Sequence, residues 1–191
     1  MTAPADWKAW RRGERERLIA LRLAMPPDER RRLTAAIADH LDATLDITPG
    51  TVLAFYWPIR GEPNLIPWVE RLHERGVRPA LPVVVAKGQP MQFRPWAPGA
   101  AMVRGIWNIP MPADETVVTP EIVLAPLVGF DRQLYRLGYG GGFFDRTLAA
   151  LDSKPMAIGV GYAAMELPTV HPQPHDIAMD VVVTEQGVLR G

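Results

Sequence analysis

The chain of 191 residues contains no cysteine, which excludes disulfide bonds and thiolate metal sites. It also lacks net charge, because 21 Lys and Arg residues balance 21 Asp and Glu residues, so no overall charge attracts it to nucleic acids or membranes. No apolar run approaches the ~20 residues of a membrane span, and the N-terminal residues lack the apolar segment of a signal peptide. We therefore expect a cytoplasmic protein with neither membrane nor nucleic-acid partners.

Apolar residues, by contrast, are abundant enough for a proper hydrophobic core. They make up 48% of the chain, whose length suits one domain and is short for two. We expect a single domain over residues 1–191, present as a monomer.

Basic residues concentrate near the N-terminus, where residues 1–32 hold nine Lys or Arg against five acidic residues. A solvated helix face explains such a cluster, and the alternative is that one or two of these arginines reach a phosphate group. Nucleic-acid binding is disfavoured, because neither interleaved aromatic residues nor a known reader motif accompanies the charge.

Hydrophobic periodicity predicts helices that alternate with strands along the chain. Predicted helices cover residues 6–24, 28–45 and 65–76, with a fourth running from near Gly142 to Leu151. Predicted strands cover residues 51–57, 77–85, 121–130, 155–162 and 180–185, and the prolines within 77–85 indicate an edge strand or a bulge. Residues 86–120, rich in Pro and Gly, should form short strands at best. This alternation predicts an α/β domain with a largely parallel sheet.

The segment YRLGYGGGFFDR, residues 135–146, contains four glycines and directly follows the predicted strand around Val123–Val128. Ligands of parallel sheets bind at the carboxyl ends of the strands, and glycines that precede a helix let N–H groups converge on an anion. Arg136 adds a cation, and Asp145 could bind a Mg²⁺ ion between phosphate oxygens. The spacing matches neither a P-loop nor a dinucleotide fingerprint, so a tight turn without a ligand stays open.

Three further blocks accompany this segment in order: YWPIRGE at 56–62, GIWNIPMP at 105–112 and HPQPHDIAMDVVVTE at 171–185. With PLVGFDRQLYRLGYGGGFFDRTL at 126–148, they resemble the motifs of the 5-formyltetrahydrofolate cyclo-ligases, also called methenyltetrahydrofolate synthetases. The resemblance covers nearly the whole chain. It implies a single three-layer α/β domain with helices on both faces of the central sheet. It also implies conversion of 5-formyltetrahydrofolate to 5,10-methenyltetrahydrofolate. This reaction uses ATP and Mg²⁺ and releases ADP and phosphate.

The resemblance also assigns site residues. Those implied to line the ATP phosphates are Arg11, Arg15, Arg136, Gly138, Tyr139, Gly140, Gly141, Gly142, Phe143 and Phe144. Those implied to contact the folate are Tyr56, Glu62, Trp107, Asn108 and Ile109. Asp145 and Asp176 are the implied Mg²⁺ ligands. A carboxylate such as Glu62 suits the pterin edge, because it accepts two parallel hydrogen bonds.

Two features depart from the family pattern. Many members carry Arg and Lys within the glycine segment, where this chain has Tyr139 and Gly141. Many also carry a Lys four residues before an Arg in the first helix; Arg11 and Arg15 stand at these positions, and a register one turn earlier offers Lys8 and Arg12 instead.

Two other interpretations use the same residues differently. One is a paralogue of the same fold that binds a nucleotide, a folate or a thiamine-related compound without closing a ring. The other is a basic-helix interaction module with an incidental glycine turn. His171, His175 and Asp176 could suggest a metal cluster, but the prolines between the histidines prevent a regular helix face. We expect His175 to orient the loop or Asp176, and Asp180 to make structural hydrogen bonds.

Overall fold

The computed structural model describes residues 6–191, and helices and strands alternate along them. The α-helices are α1 (Trp7–Ala24), α2 (Pro27–Thr44), α3 (Ile66–Glu74) and α4 (Phe143–Ala150). The first six strands are β1 (Val52–Ala54), β2 (Arg78–Val83), β3 (Gln92–Pro95), β4 (Met102–Arg104), β5 (Pro110–Pro112) and β6 (Ile122–Pro126). The remaining strands are β7 (Gly129–Phe130), β8 (Arg136–Leu137), β9 (Met156–Val160), β10 (Val181–Thr184) and β11 (Gly187–Arg190).

Seven strands form the central sheet, in the order β11-β10-β9-β6-β1-β2-β3. The five inner strands run parallel, and the two edge strands β3 and β11 run antiparallel to their neighbours. Every residue of β1 and β10 is buried, which requires cover on both faces of the sheet. The predicted α/β fold with a largely parallel sheet is therefore confirmed.

The strand order reverses beside β1, since β2 lies on one side of this strand and β6 on the other. A crevice opens at such a reversal, outside the carboxyl ends of the two diverging strands. The segments that leave β1 and β6 at this end are residues 55–62 and residues 127–142. The topology therefore places two of the blocks predicted to carry function, 56–62 and 126–148, at the edge of the sheet where ligands of parallel sheets bind.

Helix α1 has two distinct faces, set by the helical repeat. Asp6 caps its N-terminus by accepting a hydrogen bond from Ala9 N at 2.9 Å. The residues on the buried face, Arg11, Leu18 and Arg22, are spaced at seven and four positions. The helix thus carries two cations toward the interior, where each needs partners.

The predicted strand over 121–130 is two strands, and this part of the prediction was wrong. β6 ends at Pro126, and β7 then pairs with β8 in a separate hairpin. Buried Asp131 holds the hairpin turn by accepting hydrogen bonds from the N–H groups of Gln133, Tyr135 and Val170. The glycine-rich part of the segment, residues 138–142, consequently follows β8 rather than a strand of the central sheet.

The prediction that residues 77–85 form an edge or bulged strand was also wrong. β2 lies between β1 and β3, and its prolines occupy regular register positions, Pro79 opposite Leu53 and Pro82 opposite Phe93. Proline lacks only the backbone N–H donor, and the carbonyl of Pro79 still accepts from Trp96 N at 2.9 Å.

Within residues 6–191, no helix is both long and apolar enough to cross a membrane.

Candidate active site

The glycine segment forms a loop between β8 and the N-terminus of α4. Gly140 and Gly142 adopt positive φ angles of 97° and 64°, which only glycine adopts without strain. Gly142 is the N-cap of α4, so the free N–H groups of the first helical turn begin at this loop. The helix dipole and these N–H groups together favour an anion.

Arg15 of α1 makes a hydrogen bond to the first half of this loop. Arg15 donates from Nε to the carbonyl oxygen of Gly138 at 2.7 Å. A Cβ atom on Gly140 would lie 3.3 Å from the Arg15 guanidinium carbon, so the loop backbone and the arginine are in close contact. Arg15 therefore brings a positive charge to the loop.

A chain of hydrogen bonds also connects the loop to the turn after β1. The Tyr139 hydroxyl donates to Glu62 Oε1 at 2.7 Å, and Ile59 N donates to Glu62 Oε2 at 2.9 Å. Arg22 donates from Nη2 to the Tyr139 hydroxyl at 2.6 Å. Arg22 also donates to the carbonyls of Arg60 at 2.9 Å and Leu127 at 3.0 Å, so it bridges the two sides of the crevice.

Burial is the main cause of the shifted pKa values of Glu62 and Tyr139. Glu62 is only 6% exposed, and burial raises its pKa above the ordinary glutamate value despite its hydrogen bonds from Tyr139 and Ile59 N. Burial and the nearby Glu62 carboxylate likewise raise the pKa of Tyr139, so the phenol stays protonated and can donate. The buried carboxylate is thus held by donors at both oxygens.

Asp145 lies in the first turn of α4 and links the loop to the C-terminal segment. Its Oδ2 accepts from Arg136 Nη2 at 3.0 Å, and its Oδ1 accepts from Ile177 N at 3.0 Å. The Arg136 guanidinium also lies 5.0 Å from the centroid of the Phe144 ring. The carboxylate therefore stands beside a buried cation in the first turn of α4.

Asp176 forms an ion pair with Arg11 and also accepts from Gln173 N at 2.7 Å. Although burial opposes ionisation, the hydrogen bonds from Arg11 and Gln173 N hold the pKa of Asp176 below its ordinary value. Arg11 uses its other donors on the carbonyls of Val170 at 3.0 Å and His171 at 3.1 Å. The pair fastens α1 to the C-terminal segment.

Trp107 extends an aromatic surface next to the glycine loop. Its side chain is 56% exposed, and its ring meets Phe143 edge-on at a centroid distance of 5.5 Å. Trp107 and Asn108 both adopt left-handed φ angles, 56° and 60°, which is unusual for a bulky residue. This backbone conformation presents an open indole face near the start of α4.

A cleft of about 450 Å³ lies between α1 and the loop. Its basic side chains outnumber its acidic one, which favours an anionic occupant. The lining residues are Lys8, Arg12, Arg15, Glu16, Ile19, Arg60, Tyr139 and Gly140.

The sequence profile of the 5-formyltetrahydrofolate cyclo-ligase family matches residues 7–185. The chain belongs to this family. It is 32% identical to the 5-formyltetrahydrofolate cyclo-ligase of Mycolicibacterium smegmatis, across 89% of this chain and 91% of the relative. It is 27% identical to the Escherichia coli K12 cyclo-ligase, across 87% of this chain and 96% of the relative.

Solved structures of cyclo-ligases share the fold. The 5,10-methenyltetrahydrofolate synthetase of Aquifex aeolicus superposes with a TM-score of 0.81 at 28% identity, covering 94% of this chain and 92% of its own. The Mycoplasma pneumoniae synthetase gives a TM-score of 0.72 at 25% identity, covering 92% of this chain and 98% of its own. These relatives are thus cyclo-ligases or methenyltetrahydrofolate synthetases, which are ligases that act on folates.

Most of the residues expected in the cyclo-ligase site meet around the crevice. Glu62 and Tyr139 are in direct contact, Arg15 holds the loop at Gly138, and Arg136 contacts Asp145 and Phe144. Gly140, Gly141 and Gly142 lead into Phe143, on which Trp107 packs. Asn108 and Ile109 complete the turn around Trp107, through backbone hydrogen bonds of Asn108 N to Gly105 O and of Gly105 N to Ile109 O.

Two of the expected residues have contacts of a different kind. Tyr56, expected to pack on the folate, lies in the core at 4% exposure, and its hydroxyl donates to Pro63 O at 2.8 Å. Arg11, expected at the ATP phosphates, points into the interior toward Asp176, because it shares the buried face of α1 with Leu18. On the same helix, Lys8 and Arg12 line the cleft with Arg15. The pair Arg11 and Arg15 is therefore split between two faces of α1, whereas Lys8 and Arg12 lie on the same side of the helix.

The acidic residues fit a Mg²⁺ ion unequally. Among residues 6–191, no three His, Cys, Asp or Glu side chains gather into a metal-binding group. Mg²⁺ in nucleotide sites needs only one or two carboxylates beside phosphate oxygens and water, and Asp145 fits that requirement. Asp176 is committed to Arg11, and these contacts favour an ion-pair role for it. As expected, Asp180 is structural, accepting from Ala157 N at 2.7 Å.

Arg22 and Arg60 are the site residues that the sequence analysis missed. The Arg60 guanidinium lies 5.4 Å from the centroid of the Tyr139 ring, and the Arg22 side chain is 1% exposed. A signal for Arg22 existed, since it falls on the same helical stripe as Leu18. A cation on an apolar stripe indicates a buried partner.

Replacing Asp176 with asparagine is expected to lower the free energy of unfolding by about 2–3 kcal/mol, because Arg11 would remain buried without its counter-charge. Urea denaturation at pH 7 measures the change. Glu166→Gln, which breaks the more exposed pair with Arg132, is the matched control and should cost less than about 1 kcal/mol. Because the folded pKa of Asp176 is depressed, the difference between wild type and Asp176→Asn should shrink as the pH falls through that pKa. Equal losses in the two variants would contradict the structural role of the buried pair.

Proposed function

We propose that this protein converts 5-formyltetrahydrofolate to 5,10-methenyltetrahydrofolate, using ATP and Mg²⁺ and releasing ADP and phosphate. The contact between Glu62 and Tyr139 carries the proposal, because it joins a carboxylate suited to a pterin edge with a loop suited to phosphates. Membership of the cyclo-ligase family supports the reaction class.

The chemistry explains why the folate subsite and the phosphate subsite must lie next to each other. A formamide oxygen is a poor leaving group, so the γ-phosphoryl group of ATP is transferred to it and ADP departs. The N10 nitrogen of the folate then attacks the formyl carbon and loses its proton, and the carbon–oxygen bond breaks to release phosphate. Both steps need the formyl group and the γ-phosphate held in line, which is a matter of positioning.

Glu62 binds and orients the pterin in this proposal. Its two oxygens accept from the ring N–H and the exocyclic amino group, a pairing that a carboxylate makes in parallel. Trp107 and Phe143 form the aromatic wall, since their rings already pack together and the indole face is open.

The phosphates bind at the loop and the first turn of α4. Backbone N–H groups from Gly140 to Phe143 supply neutral donors, and Arg15 and Arg136 supply positive charge. Lys8 and Arg12 line the adjoining cleft and compensate for the absence of Lys and Arg within the glycine segment.

Asp145 is the residue we assign to Mg²⁺. When bound, the ion neutralises charge that develops on the phosphate oxygens during transfer. Arg136 holds the Asp145 side chain from the other side and so keeps its direction fixed.

Absorbance at the methenyl band tests the proposal directly. Purified protein mixed with 5-formyltetrahydrofolate, ATP and Mg²⁺ should give a rise in absorbance that disappears when ATP or the metal is left out. No rise from a folded protein that binds ATP would reject the cyclo-ligase activity and favour the paralogue without ring closure.

A further inference from the structure

The hydroxyl of Tyr139 occupies the place on Glu62 that a pterin donor needs. Both oxygens of Glu62 already accept hydrogen bonds, one from Ile59 N and the other from Tyr139. The Ile59 bond closes the turn that contains Glu62, whose own N–H donates to Ile59 O at 3.0 Å. That contact is local and fixed by the backbone, so the exchangeable donor is the phenol.

The side chain of Tyr139 is able to leave. It is 38% exposed, it lines the cleft beside α1, and it projects from a loop with positive φ angles at Gly140 and Gly142. Glu62, by contrast, is buried and anchored in its turn. A ligand donor that approaches Glu62 Oε1 therefore competes with the Tyr139 hydroxyl.

We propose that Tyr139 is a positioning residue that occupies the folate subsite until the pterin displaces it, and so couples folate binding to the glycine loop. The inference rests on the function proposed above. Tyr139 belongs to the loop, and its hydroxyl also accepts from Arg22 Nη2 at 2.6 Å, so displacement of the side chain breaks both contacts and frees the loop from Arg22 and from the turn after β1. Arg15 still holds the loop backbone at Gly138 after Tyr139 is displaced.

Folate and ATP binding are coupled in this proposal because both require the contact between Tyr139 and Glu62 to break. Folate binding breaks the contact between Tyr139 and Glu62, and the loop can then adjust its N–H groups around phosphates. Because the contact is broken once for two ligands, each ligand should strengthen binding of the other by the same factor.

Calorimetric titration of the Tyr139→Phe variant with 5-formyltetrahydrofolate, without ATP, tests the displacement. Loss of the competing hydrogen bond should tighten folate binding by about 10-fold relative to wild type, since the bond is made to a charged group. Tyr135→Phe, whose ring packs against the core in the same segment, is the matched control and should bind like wild type. An unchanged or weaker affinity in Tyr139→Phe would overturn the inference.

The same titrations with a saturating non-hydrolysable ATP analogue test the coupling. In wild type the analogue should tighten folate binding by about 5-fold, and in Tyr139→Phe this factor should fall to about 1. A factor of about 1 in wild type, or the same factor in both proteins, would overturn the coupling. Absence of folate binding to wild type would instead reject the proposed function, and the inference with it.

Discussion

Replacing Asp145 with asparagine is expected to lower ATP-dependent turnover by about 10³-fold, because the neutral amide binds Mg²⁺ poorly at the transferred phosphate. Steady-state rates at increasing Mg²⁺ concentration measure the effect. The residual rate should need a higher Mg²⁺ concentration to saturate than the wild-type rate does.

Asparagine is chosen over alanine because Asp145 also has structural contacts. Its oxygens accept from Arg136 and from Ile177 N, so alanine would remove both acceptors, whereas asparagine removes only the counter-charge of Arg136. The asparagine amide oxygen can still accept from Ile177 N, and far-UV circular dichroism would verify that the variant is folded. Asp152→Asn, at an exposed position just after α4, is the control for loss of one negative charge. Turnover equal to wild type in Asp145→Asn would remove Asp145 from the mechanism.

The sheet was predictable from sequence because its inner strands are short runs of buried apolar residues between helices. The β7–β8 hairpin was not, because Gly129 and Phe130 continue the apolar run of β6 without a break in composition. What separates the strands is Asp131, whose carboxylate holds the turn and also accepts from Val170 N at 2.9 Å. A partner 39 positions away leaves no local signal.

The glycine loop was also predictable, since glycine before a helix has a direct physical use. The partners of the loop were harder to predict, because they depend on which face of α1 meets the sheet. Arg11 and Arg15 looked equivalent by spacing, yet Arg11 falls on the buried face and Arg15 on the loop side. Arg22 contacts residues 38, 105 and 117 positions away, a set of distances that only the folded chain brings together.

Replacing Glu62 with glutamine is expected to raise the folate KM by about 10²-fold, because an amide cannot accept two parallel hydrogen bonds and carries no charge to strengthen them. The ATP KM should change by less than about 3-fold, since Glu62 is assigned to the pterin rather than to a phosphate. Initial rates with one substrate varied and the other saturating give the two constants separately.

The fold of this variant should survive. The glutamine oxygen can accept from Ile59 N, its amide group can donate to the Tyr139 hydroxyl, and the cost of burying a charge is removed. Glu74→Gln, at an exposed position at the end of α3, is the matched control and should leave both constants unchanged. A rise confined to the ATP KM would mean that Glu62 serves the nucleotide and that the pterin lies elsewhere.

The folate KM should also depend on pH through the same carboxylate. Burial raises the pKa of Glu62, so in the free enzyme it gains its proton at a higher pH than an ordinary glutamate, whose pKa is about 4.3. Protonation removes one acceptor, and the folate KM should therefore rise as the pH falls through this raised pKa. In Glu62→Gln, which has no proton to gain, the folate KM should stay flat over the same range. An equal pH dependence in the two proteins would assign the titration to another group and separate it from pterin binding.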